Sequence, residues 1–306
     1  MFLTPFKRPA PSPLRTCAPL ILTLACLYPF NLAAQSPIAV GPQYDTTHVY
    51  LASADMDAFV SSFITTFGGT ASKRSIANVT PVPSSTESQV VLTQAGSLSL
   101  FAYHTPIPFL FGEERTGYLV TDMDQAIQAA RAAGAEVLVA PFKDPIGIDA
   151  IIQWPGGVKM QLYWHFKSST NPPLDTIPVN RVYVSPDRAD DFVRSFLAFS
   201  GGTLVSDDKH ADAGEIGRPS ETYRSIRITS LFGNMQVLVT DGHLPYPFGH
   251  EITGYEVHDL ATTLSKASQS GAKILFPPYT SGARTSAIIQ FPGSYIAEVH
   301  SNSQPK

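Results

Sequence analysis

Apolar and polar residues change their period several times along this chain, and each change marks an element. From His48 to Ala52 the residues alternate, so His48, Tyr50 and Ala52 share one strand face and Val49 and Leu51 the other. Phe59, Phe63 and Phe67 then recur four apart, which is one face of a helix, and Gly68-Gly69 ends it. A polar segment, 72–87, precedes two strand-like runs, SQVVLTQA and SLSLFAYH, joined around Gly96. GYLV, from Gly117, reads as a further strand. Asp122 caps an amphipathic helix, DQAIQAARAAGA, that Gly134 closes. EVLVAPF, IDAIIQWPGG and VKMQLYWH supply three more strands. The order is thus strand, helix and three strands, twice over.

The same order then returns. The stretch 180–203, NRVYVSPDRADDFVRSFLAFSGGT, lines up with the first unit: Val49 with Val182, Tyr50 with Tyr183, Phe59 with Phe192 and Phe63 with Phe196. GYEVHDLATTLSKASQSGAKILFPPY lines up with the second unit in the same way. FGEERTGY is echoed by FGHEITGY, and IIQWPGG (151–157) by IIQFPGS (288–294). Self-similarity on this scale reads as duplication. The predicted domains are 46–166 and 179–302. Between them lies a polar, Pro-rich linker, KSSTNPPLDTIP (167–178).

Paired β-α-β-β-β units, the strand–Asp–helix opening, the AGAEV and SGAKI helix ends and the PGG and PGS turns together resemble the vicinal oxygen chelate superfamily. That group includes glyoxalase I, bleomycin-resistance proteins and extradiol dioxygenases. The resemblance covers about 46–302. It implies an α+β fold of two tandem domains, each a pair of βαβββ units closing a mixed sheet into a cup with helices outside. It also implies a site on the inner strand face, with metal ligands from the first and last strands of each unit. Fold and function separate readily, so the resemblance carries the fold further than the activity.

Mapped onto this chain, the ligand positions of cup 1 fall on His48, Ser99, Gly117 and Gln161. Glycine offers no ligand, so the set is incomplete. Tyr50, Phe101, Tyr103, Tyr163 and His165 are expected to line the same cup, giving it the aromatic character of an organic-molecule pocket. Cup 2 offers Arg181, Gln236, Gly254 and Glu298, with Tyr183, Glu256 and His300 on the same face. An arginine at a ligand position repels a cation and pairs more naturally with Glu298. His258 is placed at the rim. Glu114 and Glu251, at equal positions of the two FGxExTGY motifs, are read as structural.

The expected function is binding of a small organic molecule in a cup without the full metal site. The alternative is a metal-dependent lyase or dioxygenase-like enzyme using His48, Gln161 or Glu298. His48 acting as a general base without metal is a variant of it. No cofactor is read from the residues themselves; the resemblance allows a divalent metal.

Charge and cysteine usage narrow the setting. Lys7, Arg8 and Arg15 precede an apolar run from Ala18 to Phe30 and then NLAAQS, the layout of a secretory signal cleaved after Ala34. Residues 1–34 are therefore read as a leader, 35–45 as a flexible lead-in, and the protein as exported. The apolar run is shorter than the roughly 20 residues of a spanning helix, so no stable membrane insertion is expected after cleavage. Both cysteines, Cys17 and Cys26, lie in the leader, leaving no disulfide or thiolate site. The whole chain has 21 basic and 25 acidic residues. Losing the leader makes it more acidic still, which argues against a nucleic-acid partner.

Overall fold

The computed structural model describes residues 37–302. The expected leader, 1–34, lies outside the described residues. The first unit runs β1 (Thr46–Tyr50), α1 (Met56–Phe67), β2 (Thr70–Ala71), β3 (Ser75–Ala77), β4 (Thr86–Leu92) and β5 (Ser97–Tyr103). The second runs β6 (Arg115–Leu119), α2 (Met123–Ala132), β7 (Glu136–Lys143), β8 (Gly147–Gln153) and β9 (Lys159–His165). The third comprises β10 (Val179–Val184), α3 (Ala189–Ser200), β11 (Thr203–Asp212), β12 (Thr222–Ser230) and β13 (Gly233–Val239). The fourth comprises β14 (Ile252–Glu256), α4 (Leu260–Gln269), β15 (Lys273–Ser281), β16 (Arg284–Gln290) and β17 (Ile296–Asn302). In the first unit the strand after the helix is split into β2 and β3, both paired with β4.

Two mixed sheets result, with orders β2-β4-β5-β1-β6-β9-β8-β7 and β11-β12-β13-β10-β14-β17-β16-β15. In each, the opening strands of the paired units meet antiparallel at the centre, β1 with β6 and β10 with β14. Each also runs parallel to the last strand of its own unit. This symmetry draws the four expected ligand positions of each half onto four adjacent central strands. His48 lies beside Ser99, Thr46 beside Gly117, and Gly117 beside Gln161.

The helices pack on the convex faces, away from the cups. Asp122 and Asp259 cap α2 and α4, accepting from Gln125 N at 2.8 Å and Thr262 N at 2.9 Å. Neither half completes its core alone. Phe59, Phe63 and Phe67 of α1 meet Phe291, and Phe59 also meets Tyr295, from the second half. Reciprocally, Trp154 meets Phe196 and Phe199 of α3.

The repeated IIQ-aromatic-Pro-Gly phrase is thus the seam between the halves. Its aromatic enters the other half's helix layer. Its glycine follows the turn at positive φ, against the partner half. A Cβ at Gly156 would come within 2.8 Å of Val184 Cγ1, and one at Gly293 within 2.5 Å of Leu51 Cδ2. Positive φ and lack of room together require glycine here.

Glu114 and Glu251 also sit at the seam. Glu251 lies against Asn180, the Thr116 backbone and Arg115, and burial pushes its carboxyl up to about 7. Burial raises Glu114 to about 8, near Tyr255 and Tyr295.

Candidate functional site: one open cup and one filled cup

The concave face of the first sheet encloses a cavity of about 430 Å³, within the ordinary size range of small-molecule sites. His48, Tyr50, Ser99, Phe101, Tyr103, Gln161, Tyr163 and His165 all line it. Alternation explains the sorting. His48 and Tyr50 turn inward, while Val49, between them, is fully buried in the core shared with α1.

The aromatic side chains form two walls. Tyr50 stacks on Phe101 at 5.6 Å and on Tyr103 at 6.1 Å, and His48 meets Phe101 edge-on at 5.2 Å. On the other side Tyr163 lies 5.2 Å from His165. The Tyr163 hydroxyl donates to the Tyr44 carbonyl, and His165 Nδ1 is 2.7 Å from Ser169 Oγ. The lead-in and the linker therefore help build the cup. The polar 72–87 segment contributes Ser72, Ser75, Ala77 and Val79 to the lining.

Two side chains that matter here, Asp149 and Arg115, were not among the residues expected from the sequence. Asp149 on β8 opposes Tyr163, lines the cavity, and accepts from Gln161 Nε2 at 3.1 Å. Burial and the nearby Asp144 push its carboxyl well above the usual range. Its signal was a lone carboxylate in the apolar run IDAIIQ. Arg115 pairs in register with His48 on the cup side of β6. Only 3% exposed, it donates from Nη2 to the Leu110 carbonyl and leaves Nε and Nη1 without partners.

Burial, reinforced by Arg115, drives His48 down to about 3. The imidazole is therefore neutral at physiological pH. A base with that pKa is about four units from the neutral value that suits proton abstraction. This removes the driving force for the unassisted general-base variant.

The donor set does not fit the superfamily's divalent metal. His48 and Gln161 face the floor, and His48 Nδ1 and Gln161 Oε1 are enclosed without partners. Ser99 Oγ donates to Thr46 Oγ1 at 3.1 Å instead. At Gly117 even a Cβ would come within 2.6 Å of His48 Nε2, so the imidazole lies over the place where a third ligand would start. Burial raises the Asp149 carboxyl well above the usual range, and Arg115 sets a positive charge beside His48. Among the described residues no three His, Cys, Asp or Glu side chains converge as a metal-binding group.

Cup 2 is packed shut. A short turn of helix, Ala213–Ile216, follows β11 and enters the concave face, where Ala213, Glu215 and Ile216 are buried. In the sequence 204–223 reads as a polar stretch, a mobile cover over the cup or a loop; it carries most of β11 and this turn. Arg181, Glu298 and His300 are 0% exposed and Gln236 is 1% exposed. Arg181 lies 3.4 Å from Glu298, Arg284 Nη2 lies 2.5 Å from it, and His300 Nδ1 lies 3.5 Å away. Burial works to raise the Glu298 carboxyl, but Arg181 and Arg284 together hold it well below the usual range.

The plug's Glu215 accepts from the Tyr223 hydroxyl and, at 3.3 Å, from Gln236 Nε2. Tyr183 packs beside the plug, and Glu256 lies at the edge, 3.9 Å from His300 Nε2. His258 is exposed at the rim. The six expected cup-2 residues thus gather on one face, with Arg181, Glu298 and His300 in a buried charge cluster and Gln236 hydrogen-bonded to the plug.

No family model matches the chain, and no curated protein matches it. Solved structures do. A triple mutant of 4-hydroxymandelate synthase from Streptomyces coelicolor superposes with a TM-score of 0.58 at 12% identity, covering 89% of this chain and 94% of that one. A xylose isomerase-like TIM barrel/4-hydroxyphenylpyruvate dioxygenase fusion protein gives a TM-score of 0.52 at 12% identity, covering 88% of this chain and 50% of that one. The Mn(II)-bound glyoxalase from Novosphingobium aromaticivorans gives 0.49 at 14% identity, covering 88% and 84%. At such identities the likeness concerns the fold. With its four βαβββ units, paired central strands and two cups, this chain has the fold of the vicinal oxygen chelate superfamily.

Proposed function

We propose that this protein binds a small organic molecule in cup 1, and does so as an exported protein after loss of residues 1–34. The two repeat domains are taken as 46–166 and 179–302. The single observation that carries the reading is the contrast between the cups. The first holds a 430 Å³ aromatic-walled cavity, while the second is occupied by its own Ala213–Ile216 turn and the Arg181–Glu298 pair.

The second reading is a metal-dependent lyase or dioxygenase-like enzyme. It draws on the convergence of His48, Gln161 and Asp149 on one floor and on the fold neighbours' chemistry. The incomplete donor set counts against it.

A thermal-shift screen of small organic compounds tests the first reading, run on the mature protein and on Ser99→Phe, which fills the floor. Compounds that raise the melting temperature of the mature protein but not of the variant are expected. Equal responses from both proteins would refute cup 1 as the site. N-terminal sequencing of the protein recovered outside the cell tests export, with a start at Gln35 expected.

A further inference from the structure

The lining of cup 1 has a one-sided charge. It contains Asp144 and Asp149 but no lysine or arginine. Asp149 is 8% exposed, and its side-chain partner is a neutral amide, Gln161 Nε2 at 3.1 Å. Asp144 turns Oδ1 to the backbone N–H groups of Ile146 and Gly147 and adds a second negative charge on the same side. A buried carboxylate without a cationic partner is costly unless it is protonated or a positive charge arrives.

The nearest buried cation does not meet that need. Arg115 lies outside the lining; it gives Nη2 to the Leu110 carbonyl and has Glu113 3.5 Å away, while its unpartnered Nε and Nη1 are enclosed. Lys159 is likewise taken by Glu113, at 2.7 Å. Tyr50, Phe101, Tyr103 and Tyr163 line the same cavity. Aromatic faces carry negative potential and attract organic cations. Acidic groups and aromatic rings lining one cavity form a matched set.

We infer that cup 1 selects an organic cation, an amine or quaternary ammonium on a flat apolar body, with Asp149 as its counter-ion and the Tyr50–Phe101–Tyr103 wall as its cage. This rests on the reading of cup 1 as a small-molecule site. It adds the sign of the ligand's charge and the residue that recognises it.

Calorimetry with three probes of similar size tests the inference: benzyltrimethylammonium, benzyl alcohol and phenylacetate, each titrated into the mature protein and into Asp149→Asn. The ammonium is expected to bind about tenfold or more tighter than the other two. In Asp149→Asn that preference should vanish, while benzyl alcohol binding stays within about twofold, showing the cup still formed. Phenylacetate or benzyl alcohol binding as tightly as the ammonium would overturn the cation assignment and leave the small-molecule reading standing. An ammonium preference that survives Asp149→Asn would overturn the role of Asp149. If none of the three binds and Ser99→Phe does not alter the compound screen, both readings fall together.

Discussion

Trp154 provides the sharpest test of how the two halves hold together. It belongs to the first half by sequence but is 1% exposed within the second half's helix layer, 6.1 Å from Phe196 and 5.1 Å from Phe199. Its Nε1 also reaches Met160 Sδ at 2.8 Å. Burying an aromatic side chain removes about 150–250 Å² from water, so at about 25 cal/mol per Å² the gross gain is about 4–6 kcal/mol. Truncation of buried aromatics costs about 3–5 kcal/mol in practice, and Trp154→Ala is expected in that range.

The assay is denaturant unfolding followed by circular dichroism, with native-state hydrogen exchange on the same samples. The seam predicts weakened protection of amides in α3 (189–200), although the substitution lies outside the second half. A double-mutant cycle with Phe199→Ala should give a coupling of about 0.5–1.5 kcal/mol. A loss below about 1 kcal/mol, or unchanged exchange in α3, would refute a core shared across the seam.

Three further outcomes follow from the buried groups. Glu251, raised to about 7 from 4.5, is protonated in both states below pH 4.5, so nothing is lost there. Between pH 4.5 and 7 the unfolded chain gives up its proton first, and stability falls as pH rises. The 2.5-unit shift corresponds to about 3 kcal/mol at most. Glu251→Gln should flatten the decline between pH 4.5 and 7 in urea titrations, and a decline as steep as that of the unmodified protein would argue against the assignment. Arg181→Met leaves Glu298 with Arg284 alone and is expected to cost about 3–5 kcal/mol while leaving ligand affinity in cup 1 unchanged. Gly117→Ala should displace the His48 ring, costing about 1–3 kcal/mol and weakening cup-1 binding in calorimetry, whereas an alanine tolerated without either change would show that the imidazole does not rest there.

The fold was legible because each unit repeats the same periodicities. Val49 and His48 sort to opposite faces by alternation alone, and Phe59, Phe63 and Phe67 declare a helical face. The resemblance implied the cup-floor positions, and strand parity grouped His48 with Tyr50 on the face that lines the cavity. What the sequence hid lies in contacts between distant segments. Trp154 and Phe291 read as local strand-to-turn residues, and nothing in the alternation says that each enters the other half. The segment 204–223 reads as a polar cover or loop, because the buried turn in it carries only Ala213 and Ile216 as apolar residues, too short to show a period. Arg115 was passed over because its motif, FGEERTGY, was read for Glu114, and its inward direction follows only from the β1–β6 register. Asp149 stood on a strand read as core.

The most direct measurement is the stoichiometry of ligand binding per chain, by calorimetry on the mature protein with a compound that passes the thermal-shift screen. One site is expected, abolished by Ser99→Phe and preserved in Arg181→Met. Two sites per chain, or a single site lost in Arg181→Met and retained in Ser99→Phe, would contradict one open and one filled cup.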